Sequence, residues 1–222
     1  MLANLIPGFL KKKLFTQVKK SILASQVQQS EKLPKVQIDE KSLKSARLLP
    51  NREALLELFP RGGVVAELGV DQGGFSEKIL KINQPKTLHL VDLWSTERYH
   101  LGKRKEVEEK FSNEISKGEV SIHIGYSTEV VEKFEKDTFD WIYIDTNHSY
   151  ATTKEELELW SNKVKPNGII AGHDYIIGNW NGLVRYGVIE AVHEFCLNHD
   201  WEILYLTMEL HTAPSFAIRR RQ

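Results

Sequence analysis

Glu67 and Asp71 stand on either side of a glycine in the run Ala66-Glu67-Leu68-Gly69-Val70-Asp71-Gln72-Gly73-Gly74-Phe75. The spacing is Glu-x-Gly-x-x-x-Gly, not Gly-x-Gly-x-x-Gly. An apolar stretch (Val64, Val65, Ala66) leads in, and a helical pattern from Phe75 to Ile82 leads out. Strand, glycine turn and helix in that order build a nucleotide site at the carboxyl end of a strand. A turn that receives a pyrophosphate offers backbone N–H groups and the positive end of a helix. Two carboxylates there repel phosphates and favour a cation. A nucleoside that carries an ammonium and a sulfonium fits, and S-adenosylmethionine is such a molecule.

Further polar residues fall where apolar runs end. Asp92 lies 25 positions after Glu67 at the end of Thr87 to Val91. An acid so placed can accept hydrogen bonds from both ribose hydroxyls. Gly125-Tyr126-Ser127 closes another run, where an adenine edge would lie. Ser127 can bond the base, cap the next helix, or do both. Asp145-Thr146-Asn147-His148-Ser149-Tyr150 and His173-Asp174-Tyr175 end two more runs. Asp145, His173 and Asp174 together could hold a divalent cation, Mg2+ or Mn2+. The plain alternative has Asp145 capping a helix and His173 bonding a backbone carbonyl. His148 can take a proton from a hydroxyl, as imidazoles commonly do, unless it is a solvated loop residue. The other histidines (89, 100, 123, 193, 199 and 211) show no ligand-like grouping.

These residues need a scaffold, and the pattern from Pro50 onward alternates. A helix over 52–59 precedes a first strand at 64–66. Strands follow at 87–91, 120–124, 139–144 and 169–172, with helices at 127–134 and 150–164 between them. Lys165-Pro166-Asn167-Gly168 reads as a helix-exit turn. After a helix at 188–198, strands at 201–208 and 215–219 are too closely linked for a crossover and must pair antiparallel. Five βα units and a terminal hairpin give a three-layer α/β/α fold.

Composition sets the outer limits. The 222 residues suit one domain with an appendage, and 41% are hydrophobic, enough for a sizeable core. Thirty basic residues balance thirty acidic ones, so charge does not point to a nucleic-acid partner. The single cysteine, Cys196, excludes an internal disulfide and fits a reducing, cytoplasmic setting, as a buried inert thiol. No run is long and apolar enough for a membrane span, and the amino terminus lacks the form of a secretory signal. Residues 1–45 form a separate arm before a domain at 46–222. Lysines 11, 12, 13, 19 and 20 precede the first acid, Glu31, and Leu10, Leu14, Val18 and Ile22 recur at helical spacing. A polar linker is expected from Ser25 to Lys32. Such a helix could lie on anionic lipid; the favoured reading packs it on its own domain or on a second subunit of a homo-oligomer.

The ordered set Glu67-Leu68-Gly69-x-x-x-Gly73, Asp92, Gly125-x-Ser127, Asp145-x-x-His148-x-Tyr150 and Gly172-His173-Asp174-Tyr175 resembles class I S-adenosylmethionine-dependent methyltransferases. Within them it is most similar to small O-methyltransferases of the macrocin O-methyltransferase and natural-product sugar type, over about residues 48–220. The resemblance implies a seven-stranded sheet with its last strand inserted antiparallel. It implies that Glu67, Gly69 and Gly73 line the methionine end, Asp92 holds the ribose, and Ser127 lies near adenine. It places a metal on Asp145, His173 and Asp174, although relatives commonly carry an acid where His173 stands. It makes His148 the general base toward a small-molecule or sugar hydroxyl. Tyr150, Tyr175 and Trp180 are expected to shape the acceptor side, and 177–182 reads as a lid or an ordinary surface loop. A nicotinamide-dependent oxidoreductase is disfavoured by the turn's spacing. A noncatalytic binding protein of the same fold is disfavoured by the candidate base.

Overall fold

Strands covered by helices on both faces must be apolar on both sides, and Phe139-Asp140-Trp141-Ile142-Tyr143-Ile144 meets that demand, with five of its six side chains buried. Successive residues alternate between two cores. Ala66, Leu68, Ile142, Ile144 and Ile170 pack on one side of the sheet. Val65, Trp141, Tyr143, Ile169 and Ala171 pack on the other.

The computed structural model describes residues 7–96, 100–179 and 183–222. The chain begins with α1 (Gly8–Glu31), α2 (Glu40–Leu43), β1 (Arg47–Leu49) and α3 (Arg52–Glu57). The alternating region runs β2 (Val64–Leu68), α4 (Gly74–Asn83), β3 (Thr87–Asp92), α5 (Leu101–Lys110), α6 (Ser112–Ser116) and β4 (Val120–Ile124). It continues with α7 (Ser127–Val130), a 3-10 turn (Val131–Lys133), β5 (Phe139–Ile144), α8 (Tyr150–Ser161) and β6 (Val164–Gly172). Then come the small strands β7 (Gly178–Asn179) and β8 (Val184–Arg185), α9 (Val188–His199), β9 (Trp201–Thr207) and β10 (Phe216–Arg220).

The main sheet has the order β1-β9-β10-β6-β5-β2-β3-β4. All neighbours are parallel except β10, which lies antiparallel between β9 and β6. The inserted antiparallel strand is as expected, but the sheet has eight strands, not seven. The extra one is β1, only three residues long, which pairs in parallel with β9. It is too short for an alternating pattern to show.

Two other expectations need correction. Lys165-Pro166-Asn167-Gly168 does not end a helix; α8 stops at Ser161, and the four residues lie inside β6. Phe139 pairs with Val164 but Trp141 with Ile169, so a bulge absorbs the extra residues. Arg220 donates to the carbonyls of Ser161, Val164 and Lys165 and satisfies backbone left without a ladder partner. The N-terminal helix also runs through the segment expected as a linker, to Glu31.

Connections from β2 run to β3 and β4 on one side, and β5 and β6 lie on the other. The sheet's topological switch point is therefore between β2 and β5, and open α/β sheets bind ligands outside that point. Strand ends are zipped together there: Gly69 N donates to Val91 O (2.9 Å), Asp145 N to Leu68 O (2.7 Å) and His173 N to Ile144 O (2.9 Å).

Candidate active site

The glycine turn is shaped by contact with its neighbours. Gly69 has φ +86°, and a Cβ there would lie 1.9 Å from the Asp145 carbonyl oxygen. Glycine is required because two strand ends touch at that point. Gly73, at φ +71°, is the N-cap of α4, and a Cβ on it would meet the Phe111 ring at 2.7 Å. Gly74, next along, faces open space.

The acids of the turn are not equivalent. Glu67 is 2% exposed and accepts a hydrogen bond from Ser76 Oγ of α4. Burial pushes its carboxyl up to about 8, against the smaller effect of the serine. Asp71 faces the other way and pairs with Lys103 of α5. Asp92 braces the turn: its Oδ2 accepts from Val70 N (2.8 Å) and Asp71 N (3.0 Å), and its Oδ1 from Trp94 N (3.1 Å). Trp94 is fully buried at φ +42° and donates Nε1–H to Asp71 O (2.9 Å). Asp92 thus spends both carboxylate oxygens on the amides of the loop.

Ser127 does not cap α7. The cap position is Tyr126, with no side-chain cap, and Ser127 Oγ donates to Glu156 of α8. Thr146 Oγ1 donates to the other oxygen of Glu156 at 2.9 Å. Burial raises Glu156 to about 7, partly offset by these two donors. Glu156 therefore ties the ends of β4 and β5 to α8.

At the ends of β5 and β6 the charged residues converge. His148 Nε2 lies 3.3 Å from Asp174 Oδ2. His173 Nδ1 lies 3.2 Å from the same oxygen and 3.7 Å from Asp145 Oδ2. Ligand atoms of Asp145, His148 and Asp174 all fall within 4.8 Å of one another. His148 therefore joins the two acids more fully than spacing suggested, while His173 flanks them. His148 (φ +60°) and Asp174 (φ +55°) are both left-handed, a strain of about 1–3 kcal/mol each that surrounding structure must hold. For His148 that hold comes from Gly187 N, which donates to its carbonyl at 2.9 Å.

The groups set one another's charge. Burial raises Asp145 above the carboxylate range despite His173, His148 and Arg52 nearby. Burial alone would also raise Asp174, but the His173 hydrogen bond and His148 outweigh it and lower it. Burial disfavours the His173 imidazolium, yet Asp174 and Asp145 prevail and raise it. A small cavity of about 10 Å³ beside this group is lined by Thr146, His148 and His173 among others. A larger groove of about 850 Å³ lies elsewhere, beside β3 and β4 under α5 and α6. We assign the site to the strand ends because the convergent acids and imidazoles are there.

Two of the residues expected in the acceptor wall have hydroxyl partners within the chain. Tyr150 donates its hydroxyl to Glu194, and Tyr175 Oη is 2.6 Å from His193 Nε2. Tyr186, not singled out from the sequence, places its ring 4.8 Å from that of His148. Trp180 lies outside the described residues, as do 181 and 182 of the loop. Arg52 was also missed. It stands at the first turn of α3, 3.9 Å from Asp145 Oδ2, with its guanidinium 4.6 Å over the Phe75 ring.

Residues 66–175 match the family model described as a methyltransferase domain. The fold is that of class I S-adenosylmethionine-dependent methyltransferases. Solved structures with this methyltransferase fold include the M1A22 tRNA methyltransferase TrmK of B. subtilis: 14% identity, TM-score 0.56, covering 78% of this chain and 67% of TrmK. A SAM-dependent methyltransferase from Aquifex aeolicus aligns at 14% identity and TM-score 0.56, over 81% of this chain and 93% of that one. The pyocyanin biosynthetic protein PhzM aligns at 11% identity and TM-score 0.58, over 76% of this chain, which spans 54% of PhzM. No curated protein matches the chain by sequence.

Proposed function

We propose that this methyltransferase fold moves the methyl group of S-adenosylmethionine to a hydroxyl of a small molecule or sugar. The observation that carries the reading is the His148–Asp174–Asp145 group, set at the strand ends beside the glycine turn. With thirty basic and thirty acidic residues, net charge does not single out an RNA acceptor.

The donor's zwitterionic, sulfonium-bearing end suits a crevice where Arg52 stands beside Asp145 and Asp174 holds its negative charge. Asp92 Oδ1, which already accepts from Trp94 N, would take a ribose hydroxyl as a second donor, and Gly74 leaves open space at the turn. Two carboxylates and neighbouring imidazoles also make a donor set fit for a divalent cation. Asp145 and Asp174, with His173 as the remaining ligand, would hold Mg2+ or Mn2+, which lowers the pKa of a bound hydroxyl.

His148 takes the hydroxyl proton. Asp174 engages Nε2, which orients the ring and leaves Nδ1 for that proton. The acceptor oxygen forms its bond to the methyl carbon as the carbon–sulfur bond breaks. The products are a methyl ether and neutral S-adenosylhomocysteine. Holding the reactants in line is worth up to roughly 7–11 kcal/mol in well-oriented systems.

The test is a methyl-transfer assay over a panel of sugars and phenols, paired with thermal shift. S-adenosylhomocysteine is expected to raise the melting temperature of the wild type. Asp145→Ala should abolish turnover while keeping part of that shift. His148→Ala should lower kcat by about 10²–10⁴. Stabilisation by NAD but not by S-adenosylhomocysteine would overturn the reading, as would full activity in Asp145→Ala.

A further inference from the structure

Arg52 is a cation drawn into a site built from acids. Asn51 caps α3 by accepting from Ala54 N (2.9 Å), which fixes the first turn from which Arg52 extends. The side chain is mostly buried, lies on the face of Phe75 and reaches toward the end of β5. Its nearest carboxylate oxygen, on Asp145, is 3.9 Å away, beyond hydrogen-bond range. A guanidinium carries five N–H donors in a planar fork matched to a carboxylate. Phe75 lies under the plane of that fork and the Tyr143 hydroxyl engages one part of it, while Asp145 stays beyond hydrogen-bond range, so the fork is not saturated.

A purely cationic ligand would need no arginine here and would be repelled by one. The amino-acid end of the proposed methyl donor carries an ammonium and a carboxylate on one carbon. Acids answer the ammonium, but they repel the carboxylate.

We propose that Arg52 receives the α-carboxylate of the amino-acid end of S-adenosylmethionine and S-adenosylhomocysteine. This rests on the methyl-donor reading above. Bidentate arginine–carboxylate pairing gives both strength and orientation, so Arg52 sets the position of the sulfur relative to His148. It is a binding residue and takes no part in proton transfer.

Calorimetric titration of the full chain tests it with two ligands: S-adenosylhomocysteine and its decarboxylated counterpart, which keeps the amine and lacks the carboxylate. The wild type should bind the first at least tenfold more tightly. Arg52→Ala should weaken S-adenosylhomocysteine at least tenfold and leave the decarboxylated ligand nearly unchanged. Arg52→Lys, which keeps the charge and loses the fork, should fall between, and it carries the test if the alanine variant fails to fold. Equal weakening of both ligands would make Arg52 a structural counter-ion to Asp145 and overturn the proposal. Unchanged S-adenosylhomocysteine affinity, or an effect confined to the acceptor's KM, would do the same. If the wild type binds neither ligand, the methyl-donor reading itself has failed, and the role of Arg52 falls with it.

Discussion

Glu67 carries a proton at neutral pH because its carboxyl is shut away from water with Ser76 as its hydrogen-bond partner. Its folded pKa of about 8 exceeds the ordinary 4.5. The unfolded chain therefore releases this proton first. Stability from this group is complete below about pH 4.5 and declines as pH rises toward 8. Glu67→Gln should flatten that decline, seen as urea midpoints that converge near pH 4.5 and separate by pH 8. The position of Glu67 at a strand end was legible, but its burial was not, because Ser76 and α4 close over it. Gly69 makes the opposite point. A glycine at a turn is obvious in sequence, but its reason is the Asp145 carbonyl 1.9 Å from where a Cβ would sit. Gly69→Ala should cost roughly 1–3 kcal/mol from backbone strain alone, and more from the clash, measurable by denaturant unfolding.

Strand and helix boundaries followed their apolar runs closely, and β4 and β5 begin and end where the pattern places them. The failure at Lys165-Pro166-Asn167-Gly168 has a physical cause. Turn residues mark a departure from regular backbone, and a bulge is such a departure inside a strand. Arg220, 52 residues beyond Gly168, supplies the hydrogen bonds that make the bulge tenable. Arg220→Ala should destabilise the fold by about 1–3 kcal/mol by leaving those carbonyls unpaired, read from the shift in urea midpoint. β3 and β4 hold a second hidden pair, His89 Nδ1 against His123 Nε2 at 2.9 Å. Burial, and then the neighbouring His123, lower His89 from 6.5 to about 4. The folded state thus binds its proton later than the unfolded chain. Stability from His89 is intact above pH 6.5 and is lost as pH falls toward 4. His89→Gln should give a shallower acid limb in a melting-temperature profile over that range.

The arm and the sheet meet at few points. α1 buries no described side chain, and Arg185 of β8 reaches it through Gln29 and Ser30. Exposed Phe9, Leu14 and Phe15 share the helix with its lysines. Among the described residues, no helix is long and apolar enough to cross a membrane. The chain after α1 is tied down more firmly: Val36 O meets His193, Ser42 meets Arg221, and β1 pairs with β9. Removing residues 1–31 should leave the melting temperature within about 2 °C, since weakly packed segments add little to global stability. Removing 1–49 should lower it by several times as much, because a sheet strand goes with it. Differential scanning calorimetry of the two truncations gives the comparison.

Period and punctuation in the chain were enough to order the βα units, because a strand buried on both faces and a helix buried on one leave different repeats. They also put Glu67, Asp92, Asp145 and His173 at strand ends, where each closes an apolar run, with His148 and Asp174 within three residues behind. What they could not assign was the direction and partner of each side chain. Asp92 turned to the loop's own amides, Ser127 to Glu156, Tyr150 and Tyr175 to groups in the fold, and Arg52 entered the site from a helix before the first βα unit. Such contacts join residues apart in the chain, and only the packed sheet, with its switch point between β2 and β5, brings them together.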